Sequence, residues 1–127
     1  MKVMRGEGAP PIQSRKLTEA ECMEKNGLDD DSLRNTLRII NAIAAAAHPA
    51  KVWLMLIPDP YYVSGHRFAR YESYVNRLVT GVDKRISIID LHPLLTPDMH
   101  FLHDGHWNAK GHRIVADVIS QSIPRSP

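Results

Sequence analysis

Two short runs constrain this chain most. "KVWLMLIP", from Lys51 to Pro58, and "ISIIDL", from Ile86 to Leu91, are both almost continuously apolar. A strand with one wet face alternates apolar and polar residues, whereas a strand covered on both faces does not. Both runs are shorter than a buried helix needs, and both stop at a turn signal, Pro58-Asp59-Pro60 in the first case and His92-Pro93 in the second. They read as two strands of a parallel sheet.

The intervening segments have helical spacing. Leu33, Leu37, Ile40, Ala44 and Ala47 form one stripe, widened by Ile39 and Ile43. Asp29, Asp30, Asp31 and Ser32 offer N-caps ahead of it, and Pro49 stops it, which predicts a long helix over about 31–48. Phe68, Tyr71, Val75, Leu78 and Val79 mark a second helix, ended by Gly81. A third starts near Asn108, with Gly111, Ile114, Val115, Val118 and Ile119 on its inner face and Pro124 beyond it. A short helix after Thr18, closed by Gly27, is the one pattern in residues 1–30, which otherwise read as an irregular N-terminal segment. "DPYYVSGH" reads as a loop and "HPLLTPDMHFLHDGHW" as a long irregular segment.

The order helix, strand, helix, strand, loop, helix predicts an α/β layer with a parallel sheet. Ligands of such sheets lie beyond the carboxyl ends of the strands. Asp59, Asp90 and the histidine-rich loop all fall there. Two strands alone make a poor sheet, because both faces and both edges need cover. Three sources of cover are open: a strand at Met1–Met4, neighbours from another chain, or a larger domain of which residues 31–123 are the C-terminal part. The last is the reading taken here, with 124–127 as a tail.

Composition excludes several classes. A net charge of +2 with no run of Lys or Arg does not suit nucleic acid. No apolar stretch approaches the roughly 20 residues of a membrane span. The N-terminus lacks the apolar core of a secretory signal, so the chain as written reads as cytoplasmic, while export of a longer protein stays open and the compartment is not fixed. The single Cys22 has no disulfide partner and reads as a small exposed or half-buried residue.

The chemistry concentrates in "LHDGHWNAKGHRIVADVI", Leu102 to Ile119. Asp104 and His106 have the composition of a general-base unit, a carboxylate that orients an imidazole, with Gly105 permitting the turn. A turn-forming Asp104 beside an exposed His106 is the bland alternative. His100, His103, Asp104, His106 and His112 also supply metal-ligand types, but no HExxH or paired-Cys spacing accompanies them. Trp107 walls a pocket or anchors the core, and His66 touches a substrate or lies in a plain surface loop. His48 suits the dipole at a helix end, His92 reads as a loop residue, His112 as structural, Asn108 as an N-cap and Lys110 as solvated.

The string "HDGHWNAKGHRIVADVI" resembles the C-terminal block of the SGNH hydrolases, the GDSL-like lipase/acylhydrolase family. The matching positions are Asp104, His106, Asn108, Gly111 and His112. "VWLMLIPDP", "RYESYVNRLV" and "ISIIDLHPLL" resemble the preceding pieces in order, so the resemblance covers about 31–123. It implies a flavodoxin-like three-layer α/β/α parallel sheet, here without its N-terminal strands. It implies ester hydrolysis or acyl transfer, with Asp104 and His106 as the catalytic pair and no metal or organic cofactor; Trp107 and His66 are candidate substrate contacts from their positions alone. The implied substrate is a small-molecule or carbohydrate ester, since Asp-x-His-Trp-Asn is similar to members that act on polysaccharide O-acyl groups.

Two departures stand out. Only Gly105 separates Asp104 from His106, where two residues are commoner in the family. The Gly-Asp-Ser strand that carries the nucleophile is missing, as are the Gly and Asn blocks of the oxyanion hole. Ser14 follows no strand, and Ser64 lies in the wrong block. The isolated chain is therefore expected to be inactive. The rivals are a non-catalytic fragment that assembles through its open sheet edge, as a homo-oligomer among other possibilities, and a His-rich metal-binding module.

Overall fold

A computed structural model describes residues 16–125. The expectations for Met1–Met4 and Ser14 lie outside the described residues. Five helices and two strands follow in the order α1 (Glu19–Lys25), α2 (Asp30–Ala47), β1 (Trp53–Leu56), α3 (Pro60–Val63), α4 (Ala69–Gly81), β2 (Ser87–Asp90) and α5 (Ala109–Ser122). A single 3₁₀ turn, Pro97–Met99, lies between β2 and α5.

The caps explain the helix starts. Thr18 and Glu21 form a reciprocal capping box on α1, and Asn26-Gly27 ends it, with Gly27 at φ 62°. Asp29 accepts the Ser32 N–H at the head of α2. Asn108 accepts the Gly111 N–H at the head of α5.

β1 and β2 pair in parallel, Trp53 opposite Ser87 and Leu56 opposite Asp90. Successive side chains leave opposite faces of a strand. Trp53, Met55 and Ile89 therefore meet Val115, Ile114 and Val118 of α5. Leu54 and Ile88 meet Ala44, Leu37 and Ile40 of α2 on the other face. Helices on both faces are the reason both strands carry apolar residues toward each side of the sheet. The fold is α/β, with a small parallel sheet, as expected. Each strand has one unpaired edge among the described residues, because the sheet contains only these two.

α1 and α4 pack together through Met23, Tyr71 and Tyr74, with Leu33 of α2. At the contact of α2 with α4, a side chain on Gly81 would collide with Leu37.

Two expectations need correction. "DPYYVSGH" is not a plain loop: Asp59 accepts the Tyr61 N–H at 2.7 Å and Pro60 occupies the first turn, which starts the short α3. Cys22 is neither exposed nor half-buried. It is 4% accessible, because the inner face of α1 lays it against Leu17 and Tyr61. Burial, with the charge of Asp59 next in weight, pushes its thiol pKa upward. Among the described glycines a left-handed backbone occurs only at Gly27 and Gly65, so the turn permitted at Gly105 is made without one.

Among the described residues, no helix is long and apolar enough to cross a membrane.

Candidate active site

The loop before α5 is fixed by its own backbone. His100 and Trp107 form an antiparallel bridge. Phe101 N–H donates to the His106 carbonyl at 3.1 Å, and Asn108 N–H donates to the Met99 carbonyl at 2.9 Å. The Asn108 side-chain amide adds bonds to the carbonyls of Asp98, at 2.8 Å, and His100, at 3.2 Å. One asparagine thus caps α5 and holds the loop to it.

Within this frame Asp104 bends back on His106. Its Oδ1 accepts the His106 backbone N–H at 2.9 Å and also meets the ring Nδ1. An ionised carboxylate only accepts, so Nδ1 carries the proton. In the neutral ring Nε2 is then a lone pair. It has no hydrogen-bond partner among the described residues, and the His106 side chain is 86% exposed. The backbone amide of His106, followed by its ring, holds the Asp104 carboxyl below the usual aspartate range. Asp104 therefore stays ionised and fixes the tautomer of its neighbour.

A second pair repeats this geometry. Asp90 and His92 have the same spacing and stand at the carboxyl end of β2. Asp90 Oδ1 accepts the His92 N–H at 2.9 Å and the His92 Nδ1–H at 2.7 Å. Here, however, Nε2 accepts the Tyr71 hydroxyl at 2.9 Å, and the His92 side chain is only 10% exposed. Tyr62 meets the His92 ring edge-on, with centroids 5.1 Å apart. Burial holds Tyr71 protonated, with its pKa pushed up to about 12. His92 lies in the turn after β2, as read from sequence, and its largely enclosed ring joins β2 to α4. The signal that finds it is "DLH", which has the same Asp-x-His spacing as "DGH".

The two pairs differ in what they can do. His92 Nε2 is already occupied and shielded from solvent, so a proton reaches it only by breaking the Tyr71 bond. His106 Nε2 is open. Of the two, His106 is the imidazole able to take a proton from an incoming group.

The other candidates fall in several places. Trp107 packs against the core cluster of Met99 and Val115, with His112 edge-on at 5.5 Å. A side chain on Gly111 would meet the Met99 carbonyl and the Trp107 Cβ, so α5 comes close to Trp107 only because residue 111 is glycine. His66 stacks on Tyr61 at 3.8 Å, and its Nδ1 donates to the Tyr61 carbonyl at 3.3 Å. Ser64 caps the C-terminal end of α3, its hydroxyl donating to the Pro60 carbonyl at 3.0 Å. It lines a cleft of about 540 Å³ together with His100 and His103. No serine hydroxyl bonds to an imidazole among the described residues. No group of three His, Cys, Asp or Glu side chains placed to hold a metal ion occurs among them either.

Comparison of the chain with known protein families, with curated proteins and with solved structures gives no match.

Proposed function

We propose that residues 31–123 form the C-terminal part of an SGNH-like serine hydrolase domain with a flavodoxin-like three-layer sheet, and that Asp104 and His106 are its acid–base pair. The observation that carries the reading is the Asp104–His106 geometry. The carboxylate binds both the backbone and Nδ1 of the histidine, and Nε2 is left open. The two unpaired strand edges and the helices on both sheet faces also suit a domain whose remaining strands come from elsewhere.

In the complete domain, His106 Nε2 takes the proton from a serine Oγ as that oxygen bonds to the ester carbonyl carbon. The resulting imidazolium is stabilised by Asp104. His106 then returns the proton to the departing alkoxide. A water or an acceptor alcohol repeats the cycle in reverse, releasing the acid or a new ester. Donors on the missing blocks hold the oxyanion, a contribution of ~3 kcal/mol to the barrier. Residues of this chain supply the proton transfer.

Fluorophosphonate labelling with peptide mapping tests this. The 127-residue chain alone should carry no labelled serine. Expressed with its upstream reading frame, the protein should carry one labelled serine, and both His106→Ala and Asp104→Ala should abolish that label. A label that survives both substitutions would overturn the assignment.

A further inference from the structure

The end of the sheet opposite the acid–base pair has a chemistry of its own. A cleft of about 420 Å³ lies at the amino ends of β1 and β2, between the end of α2 and the segments that lead into the two strands. Its polar lining is His48, Lys51, Lys84, Arg85 and Ser87. Ala44, which is buried, and Val52, which is half-buried, line it beside them. The lining thus holds three permanent cations and an imidazole, and no carboxylate. A chain with 16 Lys and Arg against 14 Asp and Glu would on average mix the signs over such a surface. The larger cleft between α2 and α4, about 740 Å³, does mix them: Arg34 and Arg77 stand there with Asp30 and Glu72, and Arg77 is paired with Asp30.

Part of this charge is already matched. Arg85 donates to the Asp83 carboxylate through Nε, at 3.0 Å, and through Nη2, at 2.9 Å. The same carboxylate accepts the Arg85 N–H at 2.8 Å, so Asp83 is committed to its own turn. Lys51 and Lys84 pair with no carboxylate among the described residues. Lys51 Nζ stands 5.1 Å from the centroid of the Trp53 ring, a contact that steers the ammonium without neutralising it. Two positive charges at the cleft are therefore unmatched. The C-terminal end of α2 opposes an anion there. That effect fades within the last turn, and the Ala47 carbonyl accepts the Ala50 N–H at 2.8 Å.

We infer that this cleft is a binding site for a phosphoryl group, free or carried on a small molecule. A phosphate monoester carries about −1.5 to −2 charge at pH 7, which matches Lys51 and Lys84 together. An ammonium binds phosphate as a point charge and needs no fixed angle, so two flexible lysines suffice to hold it. The Ser87 hydroxyl and the His48 ring add neutral hydrogen-bonding groups on the same lining. A carboxylate brings a single charge and gains less from the pair. No aromatic side chain lines the cleft, so it offers no stacking platform for a nucleobase. Ligands of α/β sheets commonly sit at the carboxyl edge, where helix N-termini point; at this amino edge side chains supply the positive charge instead. The site is independent of the proposed acid–base pair.

The test is a titration of the full chain at fixed ionic strength with inorganic phosphate, and separately with glycerol 3-phosphate, glycerol and acetate, followed by amide ¹H–¹⁵N NMR. Saturable shifts are expected at Lys51, Val52, Lys84 and Arg85 with at least one of the two phosphates. That phosphate should bind at least tenfold more tightly than glycerol and at least threefold more tightly than acetate. Lys51→Gln and Lys84→Gln, both at exposed positions, should each weaken it at least fivefold while the remaining spectrum stays native. Lys25→Gln, which removes the same charge from α1, should change the affinity less than twofold. Tighter binding of glycerol 3-phosphate would assign the site to a phosphorylated small molecule, and equal or tighter binding of inorganic phosphate would assign it to the free ion; both results keep the phosphoryl site. Non-saturating shifts, equal affinity for acetate, or an equal loss in Lys25→Gln would overturn the inference and leave a solvated basic face.

Discussion

Replacing Tyr71 with phenylalanine isolates the buried joint. Its hydroxyl donates to His92 Nε2 at 2.9 Å and accepts the Asp59 N–H at 3.4 Å. The second bond is long and is worth little. The first contributes about 1 kcal/mol net, but its loss also leaves Nε2 unpaired on a side chain that is 10% exposed, where an unmet acceptor costs ~1–3 kcal/mol. The ring volume is kept, so no cavity term enters. The expected loss is about 2 kcal/mol, or roughly 8 °C in Tm for a domain of this size. Urea unfolding followed by tryptophan fluorescence measures it. The double variant Tyr71→Phe/His92→Leu removes both partners and should recover about 1 kcal/mol of the sum of the single losses, because Asp90, half-exposed, can turn to water. A loss under ~0.5 kcal/mol in Tyr71→Phe, or strictly additive single losses, would refute the joint.

Gly111→Ala should cost ~1–3 kcal/mol, since its Cβ would meet the Met99 carbonyl, and should broaden the histidine-loop resonances in NMR spectra. The Cys22 thiol should react slowly with disulfide reagents in the folded chain and fast in urea, because burial both shields it and raises its pKa. Equal rates would place it on the surface. Asp83 is held at about 2 by the Arg85 side chain and amide, and Asp104 is lowered by His106. A carboxyl with a depressed folded pKa adds stability that is present above the ordinary aspartate value and is lost as pH falls through the folded one. Acid titration should therefore leave both turns intact at pH 5 and open them only below about pH 4. For Asp83 the loss should run down to about pH 2. Tyr71, raised to about 12, works at the other limit: stability should decline as pH rises from 10 toward 12.

What was legible in the sequence was local. Thr18, Asp29 and Asn108 mark helix starts because a cap is a bond to a backbone three residues on. The two apolar runs betray strands because helices cover both of their faces. The Asp104–His106 contact spans two residues, so spacing alone suggested it. The misses are tertiary or marginal. Nothing near Cys22 shows that Tyr61 will cover it. His92 becomes a buried joint only because α4 brings Tyr71 from 21 positions away. The start signal of α3 was present in Asp59-Pro60, but four residues carry too little periodicity to separate a helix from a loop. The turn at Gly105 is held by the Asp104 carboxylate through its bond to the His106 amide.

The central claim is that Asp104 fixes His106 with its proton on Nδ1 and its Nε2 open. Long-range ¹H–¹⁵N spectroscopy of the imidazoles at a pH where His106 is neutral measures this directly. The account predicts the Nδ1–H tautomer for both His106 and His92, with the preference at His106 lost in Asp104→Ala and that at His92 unchanged. A neutral His106 protonated on Nε2 would contradict it, because that ring has no lone pair with which to take a proton from a serine.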